Sequence, residues 1–258
     1  MIEQQQLPLL EFDTNKIAKM MPEHFAHLPK KLSPKCVLAF SHTSVEKIAV
    51  KYNARQNGKI SSCTTELPVY IVDFQGEEIG LVCGFIGAAN AAAQIEELYA
   101  GGVRNFIACG AAGSLTPQPL GALVIPTAAV RDEGASYHYA PPSYEIEADK
   151  DVAACIAKTL KEAGMPYVEG KTWTTDGLYR ETEEKIALRK ERGCITVEME
   201  ASAMIAAARF RGARFGQILY CGDDLSGAGY DHRDFFKAED VRCLLIELAL
   251  LSCKNLQQ

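Results

Sequence analysis

The sequence lacks the signatures of several common classes of protein. Its nine cysteines are scattered, mostly within apolar segments, and none forms a CxxC pair, which argues against a disulfide framework and a zinc site. The five histidines show no metal-ligand spacing, so no metal is expected. A net charge of −6 gives no general attraction to nucleic acid or to acidic membranes. No apolar run is long enough to span a bilayer and no signal peptide is visible, so we expect a soluble cytoplasmic protein.

Motifs that bind dinucleotides or activate a serine are also missing. The glycines of Gly84–Gly87 and Gly110–Gly113 do not complete a GxGxxG fingerprint, so a Rossmann dinucleotide site lacks support. No lysine follows a glycine-rich loop as in a P-loop, and no Gly-x-Ser-x-Gly elbow is present. We therefore expect no resident cofactor.

Apolar and helical segments alternate along the chain, and its 258 residues are enough for one large domain. Apolar runs predict buried strands at 36–40, 69–73, 79–85, 105–109, 122–126 and 215–221. Helical patterns lie between them, at about 88–100, 150–164, 182–192, 199–211 and 238–253. We expect residues 127–149 to form the longest segment without regular secondary structure. The pattern favours a single α/β domain over residues 36–258, preceded by an N-terminal extension, residues 1–35, that packs on it.

The most informative segment is Thr196–Ala203, in which an apolar strand runs into a helix and two carboxylates flank Met199. If the segment is extended, Glu198 and Glu200 lie on the same side, because strand side chains alternate. Alternatively, Glu200 opens the helix, whose N-terminus favours negative charge. A carboxylate held rigidly in such a place can accept two hydrogen bonds from a vicinal diol, such as the 2′,3′-diol of ribose.

This segment closely resembles the sugar-binding motif of the nucleoside phosphorylase family, which includes uridine phosphorylase, purine nucleoside phosphorylases and hydrolytic nucleosidases. Three further segments carry the same resemblance, 45–49, 104–115 and 130–141. The fold that it implies is a single α/β domain with a mixed, twisted, partly barrel-like central sheet flanked by helices. Relatives assemble as dimers or hexamers, so the resemblance implies a homo-oligomer whose small-molecule partner is a nucleoside.

Cleavage of a nucleoside's C1′–N bond requires that the sugar be held, the leaving base be protonated or stabilised, and a nucleophile be supplied. The resemblance implies that Glu200 binds the ribose, with Met199 packed against the sugar and Glu198 alongside. The alternative for one of these carboxylates is that it merely caps the helix. Asp223 matches the aspartate with which purine-cleaving relatives protonate N7. That role requires a raised pKa, which burial or the neighbouring Asp224 would supply; the alternative is that both aspartates cap a loop.

The base-stacking loop of the family is matched by Leu178 and Tyr179, which occupy the positions that cover the base. The glutamine and arginine that read uracil in uridine phosphorylase are replaced here by Thr182 and Glu184. Burying the polar edge of uracil without matched partners is unfavourable. Together with Asp223, these replacements slightly favour a purine.

The phosphate-binding arginines of the family are absent. The matching positions hold uncharged residues: Phe40, Ser44, Thr65, Ala108 and Ala111. A phosphate dianion binds poorly without charged, bidentate partners. The backbone N–H groups of the turn from Gly110 to Gly113 still form a candidate anion loop, and Arg131, Arg180 and Lys47 are the cations that would compensate.

Hydrolytic nucleosidases also lack these arginines, and they activate water with a glutamate soon after the first strand. Glu46 lies one residue from that place and is the candidate general base. Its alternative role is that of an ordinary exposed helix residue.

The sequence is therefore compatible with three functions. The first, which we adopt, is a nucleoside phosphorylase-like pentosyltransferase that releases the free base, with purines slightly favoured; phosphate would be its co-substrate and purine salvage its setting. The second is a hydrolytic nucleosidase that uses water. The third is a nucleoside-binding protein that has lost catalysis. Glu200 and Asp223 together favour an enzyme, because a binding protein needs no proton donor.

Overall fold

In a computed structural model, which describes residues 5–24, 28, 32–62 and 64–257, a ten-stranded mixed sheet forms the centre of the molecule. Its strands are β1 (Lys35–Ala39), β2 (Arg55–Ser61), β3 (Glu66–Phe74), β4 (Glu77–Cys83), β5 (Asn105–Ser114), β6 (Leu123–Asp132), β7 (Glu145–Glu147), β8 (Tyr167–Thr175), β9 (Cys194–Glu198) and β10 (Arg214–Asp224). The helices are α1 (His42–Lys51), α2 (Ala88–Ala100), α3 (Lys150–Glu162), α4 (Glu183–Glu191), α5 (Ala201–Arg211) and α6 (Glu239–Asn255).

One half of the sheet closes on itself. Strands β10, β6, β8, β9 and β5 pair in that order, and β5 pairs again with β10, so these five strands form a barrel. The other half continues from β5 as an open extension in the order β1, β4, β3, β2. Parallel pairs such as β1–β5 and β8–β9 mix with antiparallel pairs such as β5–β9 and β3–β4. The predicted α/β fold with a mixed, partly barrel-like sheet is confirmed.

The core explains why the central strands are such uniformly apolar runs. Every residue of β1 is buried, because helices cover the sheet on both of its faces. In α5, all eight residues from Ala201 to Ala208 are buried, which their small side chains permit. This close packing fixes the position of the β9–α5 junction, where the Thr196–Ala203 segment lies.

Several predicted element boundaries are wrong. Strand β6 reaches Asp132, well into the stretch 127–149 that was predicted to be irregular, and β7 lies in the same stretch. Strands β2 and β8 were not predicted, because their exposed and half-buried residues interrupt the apolar pattern. The predicted helices at 88–100, 150–164, 182–192, 199–211 and 238–253 are all present, with their ends shifted by at most two residues.

The predicted N-terminal extension is described only in part, since residues 1–4, 25–27 and 29–31 lie outside the described ranges. Residues 5–24 are largely exposed and touch the end of α5: Arg211 donates a hydrogen bond to the carbonyl of Lys16 at 2.8 Å, and the rings of Phe12 and Phe210 lie 6.5 Å apart. The division of the chain at residue 35 stays a prediction.

Candidate active site

A cavity of about 430 Å³ lies where the carboxyl ends of β1, β5, β9 and β10 meet. We distinguish three parts of its wall. The sugar platform is Glu198, Met199 and Glu200; the base end is Leu178, Glu181 and Asp223; the anion end is Phe40, Ser41, Gly110 and Arg242. The carboxyl ends of parallel strands are the usual position for a ligand site in an open α/β sheet.

Glu200 is held in place from two sides. It is the residue immediately before α5, and its Oε1 accepts a hydrogen bond from the backbone N–H of Gly87 at 2.7 Å. Gly87 precedes α2 and has φ of +94°, a conformation that favours glycine. Glu200 is 7% exposed and lines the cavity, so a rigid carboxyl group faces any ligand bound there.

Glu198 has different partners, although it lies only two residues away. Its Oε2 accepts hydrogen bonds from the backbone N–H groups of Glu200 at 2.8 Å and Ala201 at 2.6 Å, and its Oε1 accepts one from the hydroxyl of Thr174 at 2.6 Å. These contacts cap the first turn of α5. Glu198 lines the cavity but has the capping role that the sequence left as the alternative.

The two carboxyl groups of the sugar platform influence each other's ionisation. Burial raises the pKa of Glu198 and of Glu200, and the charge of Glu198 raises that of Glu200 further. Three hydrogen bonds favour the ionised form of Glu198, so we assign the negative charge to Glu198 and the proton to Glu200. A diol that donates two hydrogen bonds to Glu200 would favour its ionised form and release that proton.

At the base end, Asp223 is partly buried and its carboxyl group is close to the Tyr230 hydroxyl. Burial raises the pKa of Asp223, although Tyr230, His232 and Arg233 oppose the shift. The raised pKa is the property that a proton donor requires.

Asp224 does not act as the neighbouring carboxylate that the sequence suggested. It accepts a hydrogen bond from the backbone N–H of Ser226 at 2.8 Å and forms an ion pair with Arg233. Burial acts to raise the pKa of Asp224, but these partners hold it below its ordinary value. The carboxyl group that shares the base end with Asp223 is Glu181, which the sequence analysis did not single out.

The predicted base-stacking residues separate in the structure. Leu178 lines the cavity, whereas Tyr179 is 93% exposed and does not. Both belong to a short 3₁₀ turn, Leu178–Arg180, and in so tight a turn successive side chains point in different directions. Of Leu178 and Tyr179, therefore, Leu178 is the one that can contact a base in the cavity.

At the anion end, Gly110 and Gly113 line the cavity, and the ring of Phe40 lies over Gly110. The anion-binding turn predicted here is wrong, because residues 110–113 belong to strand β5 and pair with β10 and β9. A Cβ atom on Gly110 would lie 3.1 Å from Phe40, and one on Gly84 would lie 2.5 Å from its ring. Among the described residues, Arg242 is the single cation in the cavity wall. It comes from the first turn of α6, and it donates hydrogen bonds to the Tyr220 hydroxyl at 3.1 Å and the Phe235 carbonyl at 2.6 Å.

The compensating cations predicted from sequence lie elsewhere. The guanidinium of Arg131 donates hydrogen bonds to Ser136 at 2.8 Å and to the carbonyl of Pro141 at 2.6 Å, outside this cavity. Arg180 is exposed, and Lys47 forms an ion pair with Glu239 at 3.2 Å. None of these three cations is in the cavity wall.

Glu46, the candidate general base, is also outside the cavity. Its side chain is 53% exposed on α1 and lies 3.6 Å from His42. In this chain it has the ordinary role of an exposed helix residue, because the turn of α1 that carries it points to solvent.

Gln217 is a further cavity residue that sequence reasoning missed. It lies on β10 and is 5% exposed, and its Oε1 has no hydrogen-bond partner among the described residues. A buried polar atom without a partner is unfavourable, and a ligand hydroxyl or N–H would satisfy it. Its signal in the sequence is weak: a single polar residue in the apolar run 215–221.

Comparison with known proteins identifies the family. Residues 34–246 match the model of the phosphorylase superfamily, and the chain belongs to that superfamily. A relative, guanosine phosphorylase from Halorubrum lacusprofundi, is 28% identical over 181 residues, which cover 68% of this chain and 75% of that protein.

Two solved structures share the fold. Uridine phosphorylase from Vibrio fischeri superposes with a TM-score of 0.75 at 21% identity, covering 93% of this chain and 99% of that chain. AMP nucleosidase from Bacteroides thetaiotaomicron superposes with a TM-score of 0.70 at 21% identity, covering 86% of this chain and 88% of that chain.

The family assignment confirms the resemblance seen in the sequence and, with it, the prediction of an enzyme of the nucleoside phosphorylase kind. At this level the activity is cleavage of nucleosides. The base and the nucleophile differ among the named relatives. No helix among the described residues is long and apolar enough to cross a membrane, and no group of metal-ligating side chains is found among them.

Proposed function

We propose that this protein cleaves the N-glycosidic bond of a purine nucleoside and releases the free base. The observation that carries the proposal is that Glu200, Asp223 and Leu178 line one cavity. A hydrogen-bond acceptor for the sugar and an acid for the base, held in one cavity, are the two protein groups that such a reaction needs.

The sugar would bind with its 2′- and 3′-hydroxyl groups donating to Glu200 and its apolar face against Met199. Glu200 is well suited to this role because Gly87 and the start of α5 fix its carboxyl group before a ligand arrives. Glu198 stabilises this position of Glu200, because it accepts hydrogen bonds from the backbone N–H groups in the first turn of α5.

Asp223 would then act as the acid. As the bond between C1′ and N9 breaks, its electron pair goes to the purine, and the proton of Asp223 goes to N7. The nucleophile's oxygen forms the new bond to C1′. Partial burial keeps a larger fraction of Asp223 protonated than is usual for an aspartate, which supports this assignment.

Two features support a purine over uracil. Thr182, at one uracil-reading position, accepts a hydrogen bond from the backbone N–H of Lys185 at 3.4 Å as the cap of α4, and Glu184, at the other, is exposed. Neither lines the cavity. The similarity to a protein named as a guanosine phosphorylase points the same way.

Phosphate is the nucleophile that we favour, and it would be a co-substrate, with no cofactor needed. Arg242 supports this choice, because its guanidinium reaches the cavity wall next to Ser41 and Gly110. A planar guanidinium is well matched to phosphate oxygens.

Hydrolysis is the second candidate, and Phe40 favours it. Its ring packs against Gly110 and takes up room at the anion end, where the backbone of β5 is already paired with β10. A water molecule needs less room and no countercharge at this end. The cavity supplies no second arginine among the described residues.

The test is release of free base from a panel of purine and pyrimidine nucleosides, with and without phosphate, followed by chromatography. We expect purine release that depends on phosphate and yields ribose 1-phosphate. Release that is independent of phosphate and yields free ribose would select hydrolysis. A Glu200→Gln variant serves as the control for contaminating activity. No release from any nucleoside, with nucleosides still raising the melting temperature, would overturn catalysis and leave a binding protein.

We also propose a homo-oligomer acting in purine salvage in the cytoplasm, as the resemblance implies. Exposed apolar side chains beside the cavity support a subunit contact there: Ile86 is 70% exposed, Tyr179 93% and Tyr230 64%. Light scattering of the purified protein would test the assembly, and a monomer at micromolar concentration would contradict it.

A further inference from the structure

Glu181 is a partly buried carboxyl group whose position no structural contact explains. It follows the 3₁₀ turn Leu178–Arg180 and lines the base end of the cavity. Within the part of the chain that the structure describes, its carboxyl group accepts no hydrogen bond and forms no ion pair. Partial burial of a carboxyl group without a partner is unfavourable, and a ligand in the cavity that pairs with it would offset that cost.

A second carboxyl group lies next to it. Burial, and then the charge of Asp223, raise the pKa of Glu181 to about 7. Both residues line the same end of the cavity. The other charged or titratable groups on this side of the cavity are Tyr230, His232 and Arg233 after β10, Arg242 of α6, and Glu198 and Glu200 of the sugar platform. Arg180, next to Glu181 in the chain, is exposed and lies outside the cavity wall. None of these is in a position to neutralise Glu181, whose pKa responds to burial and to Asp223.

The chemistry of a purine suits two neighbouring carboxyl groups. Ring nitrogen N7 and the substituent at C6 lie on the same edge of the base. In adenine the C6 substituent is an amino group, which donates hydrogen bonds; in hypoxanthine and guanine it is a carbonyl oxygen, which accepts them. If Asp223 serves N7, as the proposed function requires, a group beside Asp223 is within reach of the C6 substituent when it lies on the C5 side of N7.

We propose that Glu181 reads the C6 substituent of the purine, accepting a hydrogen bond from a 6-amino group when ionised and donating one to a 6-oxo group when protonated. This inference rests on the proposed function and names its specificity residue. An ionised Glu181 repels a 6-oxo group and leaves both oxygens unpaired, and mismatches of this kind discriminate strongly between substrates.

A dependence on pH follows. Because the pKa of Glu181 is raised to about 7, its protonated form is abundant at pH 6 and scarce at pH 8.5. The preference for a 6-aminopurine nucleoside over a 6-oxopurine nucleoside therefore rises with pH across this range. Asp223 acts on N7 in both classes of substrate, so its own titration changes both rates in the same direction and largely cancels in their ratio.

The experiment measures kcat/KM for adenosine and for inosine from pH 6 to 8.5 in the wild type and in Glu181→Gln. In the wild type we expect the adenosine-to-inosine ratio to rise at least about tenfold over this range. Glutamine can both donate and accept and does not titrate, so the variant should have a ratio that is lower at pH 8.5 and constant with pH. Glu184→Gln, an exposed position nearby, is the matched control and should behave as the wild type.

Two outcomes would overturn the inference. A Glu181→Gln ratio that equals the wild-type ratio at every pH would show that Glu181 does not read the base. Calorimetric binding of adenine and hypoxanthine, with an unchanged preference in the variant, would show the same without any turnover. Absence of base release from either nucleoside by the wild type would instead overturn the proposed function. A melting curve for each variant confirms that the loop substitution leaves the fold intact.

Discussion

The base end and the anion end of the cavity differ in the number of charged side chains that line them. At the base end, Glu181 and Asp223 bring two partly buried carboxyl groups together, and burial raises the pKa of both. At the anion end, Arg242 is the single described cation, and the ring of Phe40 lies against Gly110. Under the proposed function, more protein groups contact the leaving base than contact the nucleophile.

The sugar platform between these two ends is built from backbone contacts. Glu200 is held by Gly87 and Glu198 by the first turn of α5, and neither contact involves a residue of the base end or the anion end. Such a platform can stay unchanged while the residues at either end are replaced. The contrast suggests that specificity and nucleophile vary independently on this scaffold.

The largest expected effect is at the base end. Asp223→Asn removes the proton donor, so kcat for a purine nucleoside should fall by about 10²- to 10⁴-fold. The same variant should cleave p-nitrophenyl riboside at nearly the wild-type rate, because nitrophenolate leaves without protonation. Steady-state kinetics with both substrates checks this. Equal losses on both would mean that Asp223 has a structural role, and the contrast between the two ends would no longer hold.

Substitutions in the sugar platform should affect every substrate alike. Glu200→Gln weakens the charge-assisted hydrogen bonds from the diol, and kcat/KM should fall by about 10- to 100-fold for purine nucleosides and p-nitrophenyl riboside. Glu198→Gln instead removes the negative charge that caps the first turn of α5 and turns an amide N–H₂ toward the Thr174 hydroxyl, and we expect the protein to lose about 1–2 kcal/mol of stability. Urea unfolding and kinetics on both variants separate the two roles. A Glu200 variant as unstable as the Glu198 variant would contradict this division.

The smallest effect is expected at the anion end. Arg242→Met should raise the KM for phosphate about tenfold and leave KM for the nucleoside nearly unchanged. Lys47→Met is the control, since Lys47 is an exposed cation that pairs with Glu239 outside the cavity. Initial rates at varied phosphate concentration provide the measurement. If both variants keep the wild-type dependence on phosphate, Arg242 only braces the loop before α6 and the nucleophile is held by other groups.

Much of the fold follows from the sequence because its determinants are local. Most strands of the barrel and β1 are recognisable as apolar runs, and every helix except α1 is recognisable as a periodic pattern. The exceptions, β2 and β8, mix buried and exposed residues, so their strand pairing depends on neighbours that are distant in the sequence. The path of the sheet from β5 to β1 and β4 is likewise set by tertiary packing.

The residues of the site also fall into those that local sequence marks and those that depend on tertiary structure. Glu200, Met199 and Asp223 were found because short motifs carry them, and Leu178 because its loop is recognisable. Arg242 is carried by a helix that no motif marks, and it reaches the cavity only when α6 folds back across β1 and β5. The roles predicted for Arg131 and Glu46 depended on side-chain direction, which sequence alone does not determine. The capping role of Glu198 was visible as an alternative, but choosing it required the hydrogen bonds.

The most direct test of the central claim is a crystal structure with a purine C-nucleoside, whose base and ribose are joined by a bond that cannot be cleaved. We predict that both ribose hydroxyl groups lie about 2.7 Å from the Glu200 carboxyl oxygens, with N7 facing Asp223 and Leu178 against the base. An analogue that binds with its ribose away from Glu200, or outside this cavity, would contradict the account.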